Sequence, residues 1–133
     1  MADEPKVLIV DDERPIRALL IRWLMDWGYH QVREAASAVE ALDAMEVEPA
    51  DVMVCDIGMP EHDGLWLAEQ VAGRWPSTAI IMGTGRDESE VVRSSRKVGA
   101  VAYVTKPFDR DLLRQAIDHA SGRLRFRPSA ERS

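Results

Sequence analysis

The sequence contains few residues that cross-link a chain or anchor it in a membrane. Among 133 residues there are one cysteine, Cys55, and three histidines, and no apolar stretch approaches the roughly 20 residues needed to span a bilayer. A single cysteine excludes an intrachain disulfide. The first five residues are acidic and have no apolar core, so they do not predict a signal peptide. We therefore expect a cytoplasmic protein that has no membrane as partner.

Basic residues are also fewer than acidic residues. The formal net charge is −6, with 17 lysines and arginines against 23 acidic residues. Phosphate backbones bind basic surfaces, so this balance argues against nucleic acid as a partner of the domain itself. With 46% hydrophobic and 30% charged residues, the composition is that of an ordinary globular protein, and the length suits one domain.

Five apolar runs of strand type alternate with five helical patterns of spaced apolar residues. The predicted strands cover residues 7–10, 30–35, 51–55, 79–82 and 101–104. The predicted helices begin near Pro15, Ser37, Gly64, Asp87 and Asp109. This alternation with short links is typical of an α/β fold, a doubly wound parallel sheet with helices on both faces. We expect the domain to occupy residues 1–121, and residues 122–133 to form a tail or the start of a linker.

Reactive side chains follow four of the five predicted strands. Asp11 and Asp12 follow the first strand, and Asp56 ends the third. Thr84 follows the fourth strand and Lys106 follows the fifth. The carboxyl ends of parallel strands share one edge of the sheet, where open α/β sheets place their ligand sites, so we expect these side chains to converge there. Taken alone, Asp11 and Asp12 would also suit the N-terminus of a helix, where acids are favoured.

Three carboxylates at one sheet edge repel one another unless a cation or protons relieve them. Oxygen ligands without histidine or cysteine suit a hard cation. Mg²⁺ fits better than Ca²⁺, because it takes one or two carboxylates and keeps several waters, and the spaced acids of a Ca²⁺ loop are absent from the sequence. A carboxylate beside Mg²⁺ can attack phosphorus as a nucleophile. Lys106 would then supply a positive charge for the phosphoryl oxygens, and Thr84 a hydroxyl donor.

Short motifs follow one another along the chain, each near the end of a predicted strand. They are Asp11-Asp12-Glu13, the run Asp56-x-x-Met59-Pro60-x-x-x-Gly64, Thr84-Gly85 and Lys106-Pro107-Phe108, with Gly99-Ala100 and Tyr103 ahead of the last. In this order the motifs resemble those of a response-regulator receiver domain of two-component signalling. The resemblance covers about residues 5 to 120 and implies a single five-stranded parallel sheet of flavodoxin-like order 2-1-3-4-5 with five helices.

The resemblance also implies a role for each residue of the acidic edge. Asp56 would be the phosphoacceptor, taking a phosphoryl group from a phosphohistidine on a sensor histidine kinase or a phosphotransfer protein. Asp12, Asp56 and the backbone carbonyl of Gly58 would bind Mg²⁺ directly, and Asp11 would act largely through water. Lys106 would hold the phosphoryl oxygens. The chain would be no enzyme for other substrates, since it would catalyse only its own phosphorylation and dephosphorylation.

A switch follows from the same resemblance. Thr84 would move toward the phosphoryl group, and Tyr103 would turn inward behind it. The Lys106–Pro107 peptide would be cis. The face formed by the fourth helix, fifth strand and fifth helix would change with phosphorylation, and the predicted helix over 87–97 would shift readily because it has few large apolar residues. Two positions at the edge of the pocket, Gly58 and Arg86, would tune the lifetime of the phosphoryl group, and we expect Arg86 to slow hydrolysis.

Such a domain would act on an effector protein or an attached output domain, with homodimerisation on phosphorylation as a further option. Three other functions are considered. A receiver-like binding module could signal without phosphate, although the intact set of acids, threonine and lysine disfavours it. A phosphatase of the haloacid-dehalogenase kind would need a second acid where Gly58 stands. A flavodoxin-type protein would need a Ser, Thr and Gly loop after the first strand, where Asp11-Asp12-Glu13 would repel FMN phosphate.

Overall fold

A computed structural model describes residues 4–59, 61–85 and 99–122. Within these residues, five strands alternate with four helices. The elements in chain order are β1 (Lys6–Val10), α1 (Arg14–Asp26), β2 (Gln31–Ala35), α2 (Ala38–Val47), β3 (Val52–Asp56), α3 (Gly64–Arg74), β4 (Ala79–Thr84), β5 (Ala102–Thr105) and α4 (Arg110–Ala120). The predicted helix over 87–97, Arg86 and the arginine-rich segment from residue 123 lie outside the described residues.

All strand pairs are parallel, and the sheet has the order β2-β1-β3-β4-β5. This confirms the predicted strand order and the predicted α/β architecture. The register sets Val10 beside Cys55 and Asp56 beside Gly83, so the carboxyl ends of the three central strands lie level with one another. Side chains that follow these strands therefore start from neighbouring points on one edge.

The sheet is covered on both faces because alternate residues of each buried strand point in opposite directions. One core contains Leu8, Met53 and Ile80 from the strands, packed with residues of α2 and α3 such as Met45 and Leu67. The other contains strand residues of the opposite parity, packed with α1 and α4; its members include Val7, Ile9, Val52, Val54, Ile81, Leu20, Leu24, Leu113 and Ile117. This two-sided burial makes the fold doubly wound.

Polar side chains cap the N-termini of α2 and α4. Ser37 Oγ accepts a hydrogen bond from Glu40 N, and Glu40 Oε1 accepts one from Ala36 N, which together resemble a capping box. Asp109 Oδ1 accepts from the backbone N–H of Leu112, as predicted for the start of the last helix. These bonds satisfy N–H groups that have no partner inside their own helix.

Two apolar residues that recur at helical spacing on α2 and α4 are exposed. Val39 on α2 and Leu112 on α4 both face solvent, because a helix lying on a sheet buries a narrower stripe than the sequence pattern suggests. Tyr29, which no sequence pattern singled out, is fully buried behind α1. Its hydroxyl lies 2.5 Å from Asp118 Oδ1 and 2.9 Å from Ser121 Oγ, so it joins the end of α1 to the end of α4.

No helix in the described ranges is both long and apolar enough to cross a membrane.

Candidate functional site

Three carboxylates meet at the carboxyl edge of the sheet, as predicted. Asp11 follows β1 directly, Asp12 is the next residue, and Asp56 is the last residue of β3, which lies beside β1. Each of the three contributes a carboxylate oxygen to a group whose members lie within 4.8 Å of one another. Asp11 and Asp56 are buried, whereas Asp12 is exposed. The cluster therefore has a buried floor and a solvent-facing side.

Lys106 completes this cluster from the far end of the chain. Its Nζ donates to Asp11 Oδ2 at 2.8 Å and lies 3.2 Å from Asp56 Oδ1. Because β4 stands between β3 and β5, the long side chain of Lys106 crosses the end of β4 to reach the carboxylates. The Lys106–Pro107 peptide is cis, as the family resemblance implied. The structure thus brings together Asp56, the expected phosphoacceptor, and Lys106, which is expected to hold the phosphoryl oxygens.

Backbone groups fix the orientation of the two buried acids. Asp11 Oδ1 accepts from the N–H of Glu13 at 2.8 Å, and the Asp11 N–H donates to the carbonyl of Ala35 at 3.1 Å. Asp56 Oδ1 accepts from the N–H of Gly58 at 3.2 Å. These bonds hold both carboxylates at the end of the sheet, where they are directed toward Lys106.

The charges at the site shift the pKa values of its groups. Burial is the largest influence on Asp56 and raises the pKa of its carboxyl, and nearby Asp11 raises it further, while Lys106 and the Gly58 N–H act in the opposite direction without cancelling the rise. Burial alone would lower the pKa of Lys106, but its hydrogen bond to Asp11 and the negative charge of Asp56 outweigh burial and raise it. The ammonium is therefore firmly charged at neutral pH, and the carboxylates still carry unbalanced negative charge.

This excess of carboxylate over ammonium suits a divalent cation. The donors are all oxygen atoms, which hard cations prefer, and one of the three acids faces solvent, from which an ion and its waters can enter. The residues present can thus hold a metal ion of the Mg²⁺ type. Burial first, and the charge of Asp11 after it, raise the pKa of Asp56 and so disfavour its charged form, which a cation at this site would favour.

Thr84 and Tyr103 occupy the neighbouring strands. Thr84 is the buried last residue of β4, and its carbonyl accepts from the Lys106 N–H, so its backbone is tied to the residue that contacts the acids. Tyr103 lies on β5 beside Met82, two residues before the end of β4, and its side chain is 37% exposed. Thr84 therefore ends the strand next to the acids and is tied to Lys106 through its backbone, and Tyr103 lies on the following strand, partly exposed to solvent.

Two glycines near the site have packing roles that the sequence did not reveal. A Cβ at Gly64, the first residue of α3, would overlap the carbonyl oxygen of Asp56 and lie 2.8 Å from Ile57 Cα. A Cβ at Gly83, beside Asp56 in the sheet, would lie 2.9 Å from the ring of Phe108. By contrast, nothing lies within 4 Å of a Cβ at Gly58. The close approach of α3 to β3 thus requires Gly64, whereas Gly58 borders open space.

The fold and the site together define a class: a doubly wound α/β domain with an acidic, lysine-flanked site at the carboxyl edge of its sheet. The response regulator receiver domain family matches residues 7–118 of the chain. The chain belongs to this family, and the resemblance noted from its motifs is confirmed.

Individual relatives share the domain in different settings. The chain is 34% identical over 120 residues to the transcriptional regulatory protein PdtaR of Mycobacterium tuberculosis, a match that covers 90% of the chain and 58% of that relative. It is 32% identical to the chemotaxis protein CheY of Listeria monocytogenes over 87% of the chain and 98% of that protein. The structure of CheY4 from Vibrio cholerae superimposes with a TM-score of 0.83 at 31% identity, covering 89% of this chain and 99% of that one.

Proposed function

We propose that this chain is a phospho-accepting receiver domain of a two-component response regulator, in which Asp56 takes a phosphoryl group in a Mg²⁺-dependent reaction. The observation that carries the proposal is the position of Lys106 Nζ, 3.2 Å from Asp56 Oδ1, within a cluster of three carboxylates. A purely structural ion pair would need one acid for one lysine. Here the surplus acids suit a cation, and the lysine and the cation together suit a phosphoryl group.

The donor would be a phosphohistidine on a sensor histidine kinase or a phosphotransfer protein. A carboxylate oxygen of Asp56 attacks phosphorus, the P–N bond breaks, and its electron pair returns to the imidazole nitrogen of the donor, leaving an acyl phosphate on Asp56. Lys106 neutralises charge on the phosphoryl oxygens through the transfer. Mg²⁺ bound by Asp12, Asp56 and the Gly58 carbonyl, with Asp11 acting through water, would supply the second positive charge at these oxygens.

Phosphorylation would then change the face formed by β5 and α4, together with the predicted helix over 87–97. The phosphoryl group adds about −1.5 to −2 charges beside Thr84, whose hydroxyl gains a strong acceptor. The backbone bond between Thr84 and Lys106 links this hydroxyl to the start of the segment after β5. In the proposal Tyr103, now 37% exposed, turns inward as Thr84 moves, and the face presented to an effector or output domain changes.

Acetyl phosphate with Mg²⁺ and intact mass spectrometry test the proposal directly. We expect the protein to gain the mass of one phosphoryl group, Asp56→Asn to gain none, and Asp43→Asn, which removes an exposed acid from α2, to behave as wild type. A wild-type protein that gains no mass, or an Asp56→Asn variant that gains as much, would refute phosphorylation at Asp56. The first result would favour the alternative of a phosphate-independent binding module.

The lifetime of the phosphoryl group is proposed to depend on Gly58 and Arg86. A Cβ at Gly58 meets nothing within 4 Å, so the glycine leaves that side of Asp56 unshielded. Arg86, from the sequence, would partly compensate by reaching toward the phosphoryl oxygens. We expect Arg86→Ala to shorten the half-life of the phosphorylated protein, measured by loss of the added mass after the phosphodonor is removed. An unchanged or longer half-life would contradict this role.

The partners are proposals as well. The chain spans 58% of the length of PdtaR but 98% of the Listeria CheY, so relatives of both lengths support either an attached output domain or a separate effector. We keep residues 1–121 as the receiver domain, residues 122–133 as a tail or linker, and the cytoplasmic location as predictions from the sequence. Light scattering with and without beryllofluoride and Mg²⁺ tests homodimerisation, for which we expect a doubled mass only when both are added.

A further inference from the structure

Arg17, in the first turn of α1, contacts the acidic site from behind. Its Nη1 donates to the backbone carbonyl of Asp11 at 2.7 Å, and its Nε donates to Glu34 Oε1 at 2.6 Å. The arginine side chain is only 13% exposed, so its guanidinium is enclosed between α1 and the end of β2. Neither Arg17 nor Glu34 belongs to the motifs that identify the family.

We infer that Arg17, held in place by Glu34, is a positioning residue of the acidic site. It fixes the peptide that joins Asp11 to Asp12 and so places the Asp12 carboxylate for the cation. This inference rests on the proposed function, because it assigns Arg17 a role in binding the Mg²⁺ that the proposal requires.

The hydrogen bonds around the Asp11–Asp12 peptide support the inference. Asp11 is held on its N–H by Ala35 and on its side chain by Lys106 and the Glu13 N–H. Its carbonyl, which belongs to the peptide leading into Asp12, is held by Arg17. Asp12 is exposed, so its position depends on this backbone more than on packing around its own side chain. Loss of the Arg17 contact would free the peptide to rotate.

Glu34 has a second role, which follows from charge. A guanidinium is permanently charged, and that of Arg17 is bonded to the backbone of Asp11, one of the three clustered acids. Without a partner of its own, it would be drawn toward those carboxylates and would compete with a cation for them. Glu34 neutralises the guanidinium and holds its Nε, so that Nη1 stays on the carbonyl. Lysine cannot replace arginine here, because a single ammonium does not reproduce two donors fixed in one plane.

Mg²⁺ titration of the full chain, followed through the amide resonance of Gly58 by NMR, tests the inference. We expect Arg17→Met to raise the dissociation constant for Mg²⁺ by about 10-fold, the lower end of what loss of a supporting residue around a metal site produces. The matched control is Arg22→Met on the same helix, whose side chain is 79% exposed and pairs with Asp26. We expect this control to leave the dissociation constant unchanged.

Glu34→Ala provides a second variant that keeps Arg17 itself. We expect it also to weaken Mg²⁺ binding, and the double variant Arg17→Met/Glu34→Ala to bind no more weakly than Arg17→Met, because Glu34 acts through Arg17. Without Mg²⁺, the amide resonance of Asp12 should move in both single variants. A merely structural pair would lower stability while leaving the Mg²⁺ dissociation constant and the Asp12 resonance as they are in wild type.

The outcomes separate this inference from the proposed function. If wild type binds Mg²⁺ and accepts a phosphoryl group but both Arg17→Met and Glu34→Ala bind Mg²⁺ as wild type does, the role of Arg17 is refuted and the proposed function stands. If wild type itself shows no Mg²⁺ binding and no phosphorylation, the proposed function fails and the inference fails with it.

Discussion

Lys106 Nζ lies 2.8 Å from Asp11 Oδ2, a contact that joins residues 95 positions apart in the chain. The acid comes from the first strand of the sheet and the lysine follows the last, so the site forms only when all intervening strands are in register. Folding and assembly of the site are therefore the same event.

Replacement of Lys106 by methionine should destabilise the protein at neutral pH. The ammonium faces two buried carboxylates, and its raised pKa means that its stabilising charge is fully present at pH 7 and is lost only as the pH rises beyond its ordinary range. We expect Lys106→Met to lower the free energy of unfolding by about 1–3 kcal/mol in urea titrations without Mg²⁺.

Two controls sharpen this experiment. Lys6→Met removes a more exposed lysine, 3.7 Å from Glu48, and should lower the free energy of unfolding by less than about 1 kcal/mol. Addition of Mg²⁺ should restore part of the loss in Lys106→Met, because a second cation can neutralise the same acids. Equal losses in the two lysine variants would contradict the charge balance described for the site.

Replacement of Asp56 by asparagine should stabilise the protein in the absence of Mg²⁺. The fold raises the pKa of Asp56 above its ordinary value of 3.8, so the folded state binds its proton more tightly than the unfolded state does. Ionisation of Asp56 therefore lowers stability as the pH rises from 3.8 through the raised value, and the loss persists at neutral pH. We expect Asp56→Asn to be about 1 kcal/mol more stable than wild type at pH 7, on the usual scale of single substitutions.

The pH dependence gives this second prediction its control. Well below pH 3.8 the Asp56 carboxyl is protonated in both the folded and the unfolded state, so the advantage of the asparagine variant should disappear there. Asp43→Asn, which removes an exposed acid from α2, should leave the free energy of unfolding at pH 7 within about 0.5 kcal/mol of wild type. If Asp56→Asn is less stable than wild type at pH 7, then Lys106 and the Gly58 N–H already compensate fully for burial of the Asp56 charge.

Mg²⁺ should stabilise wild type and not Asp56→Asn. A ligand that binds only the folded state at 100 times its dissociation constant adds about 2.7 kcal/mol to the free energy of unfolding. We expect a rise of this order in Mg²⁺ titrations of wild type by thermal unfolding, reversed by a chelator, and a much smaller rise in the variant. Similar stabilisation of both proteins would show that Mg²⁺ binds elsewhere.

Gly64→Ala and Gly73→Ala should have opposite effects although both lie on α3. A Cβ at Gly64 would overlap the backbone of Asp56, so we expect a loss of about 1–3 kcal/mol and slower phosphorylation as β3 and α3 move apart. A Cβ at Gly73 meets nothing within 4 Å, and alanine should stabilise the helix by about 0.5–1 kcal/mol. Urea unfolding of both variants measures these changes in the free energy of unfolding. Equal losses in the two variants would contradict the packing role of Gly64.

The sequence predicted the sheet and the convergence of its acidic residues because both depend on local patterns. Each strand is a short apolar run, and parallel pairing alone brings Asp11, Asp56 and Lys106 to one edge. The contact of Arg17 with Asp11 could not be predicted in this way, since it depends on the register that places Glu34 beside Ile9. The register between β1 and β2 determines which charged residues meet, and no local sequence pattern predicts that register.

Packing roles were also hidden in the sequence. Tyr29 follows a glycine at the end of α1 with no alternating pattern, yet it is fully buried in the core, and its hydroxyl bonds to Asp118, 89 positions away. Gly64 was part of a recognised motif, but its reason lies in the distance between α3 and β3. Conversely, Val39 and Leu112 fit helical stripes and are exposed, because a helix packed on a sheet buries only part of its apolar stripe.

The open space beside Gly58 has a consequence for how such a signal can evolve. A Cβ at that position meets nothing within 4 Å, whereas a Cβ at Gly64, where α3 begins, would overlap the backbone of Asp56. Under the proposed function, a substitution at this one codon can therefore alter the duration of the response without the backbone overlap that a substitution at Gly64 would cause.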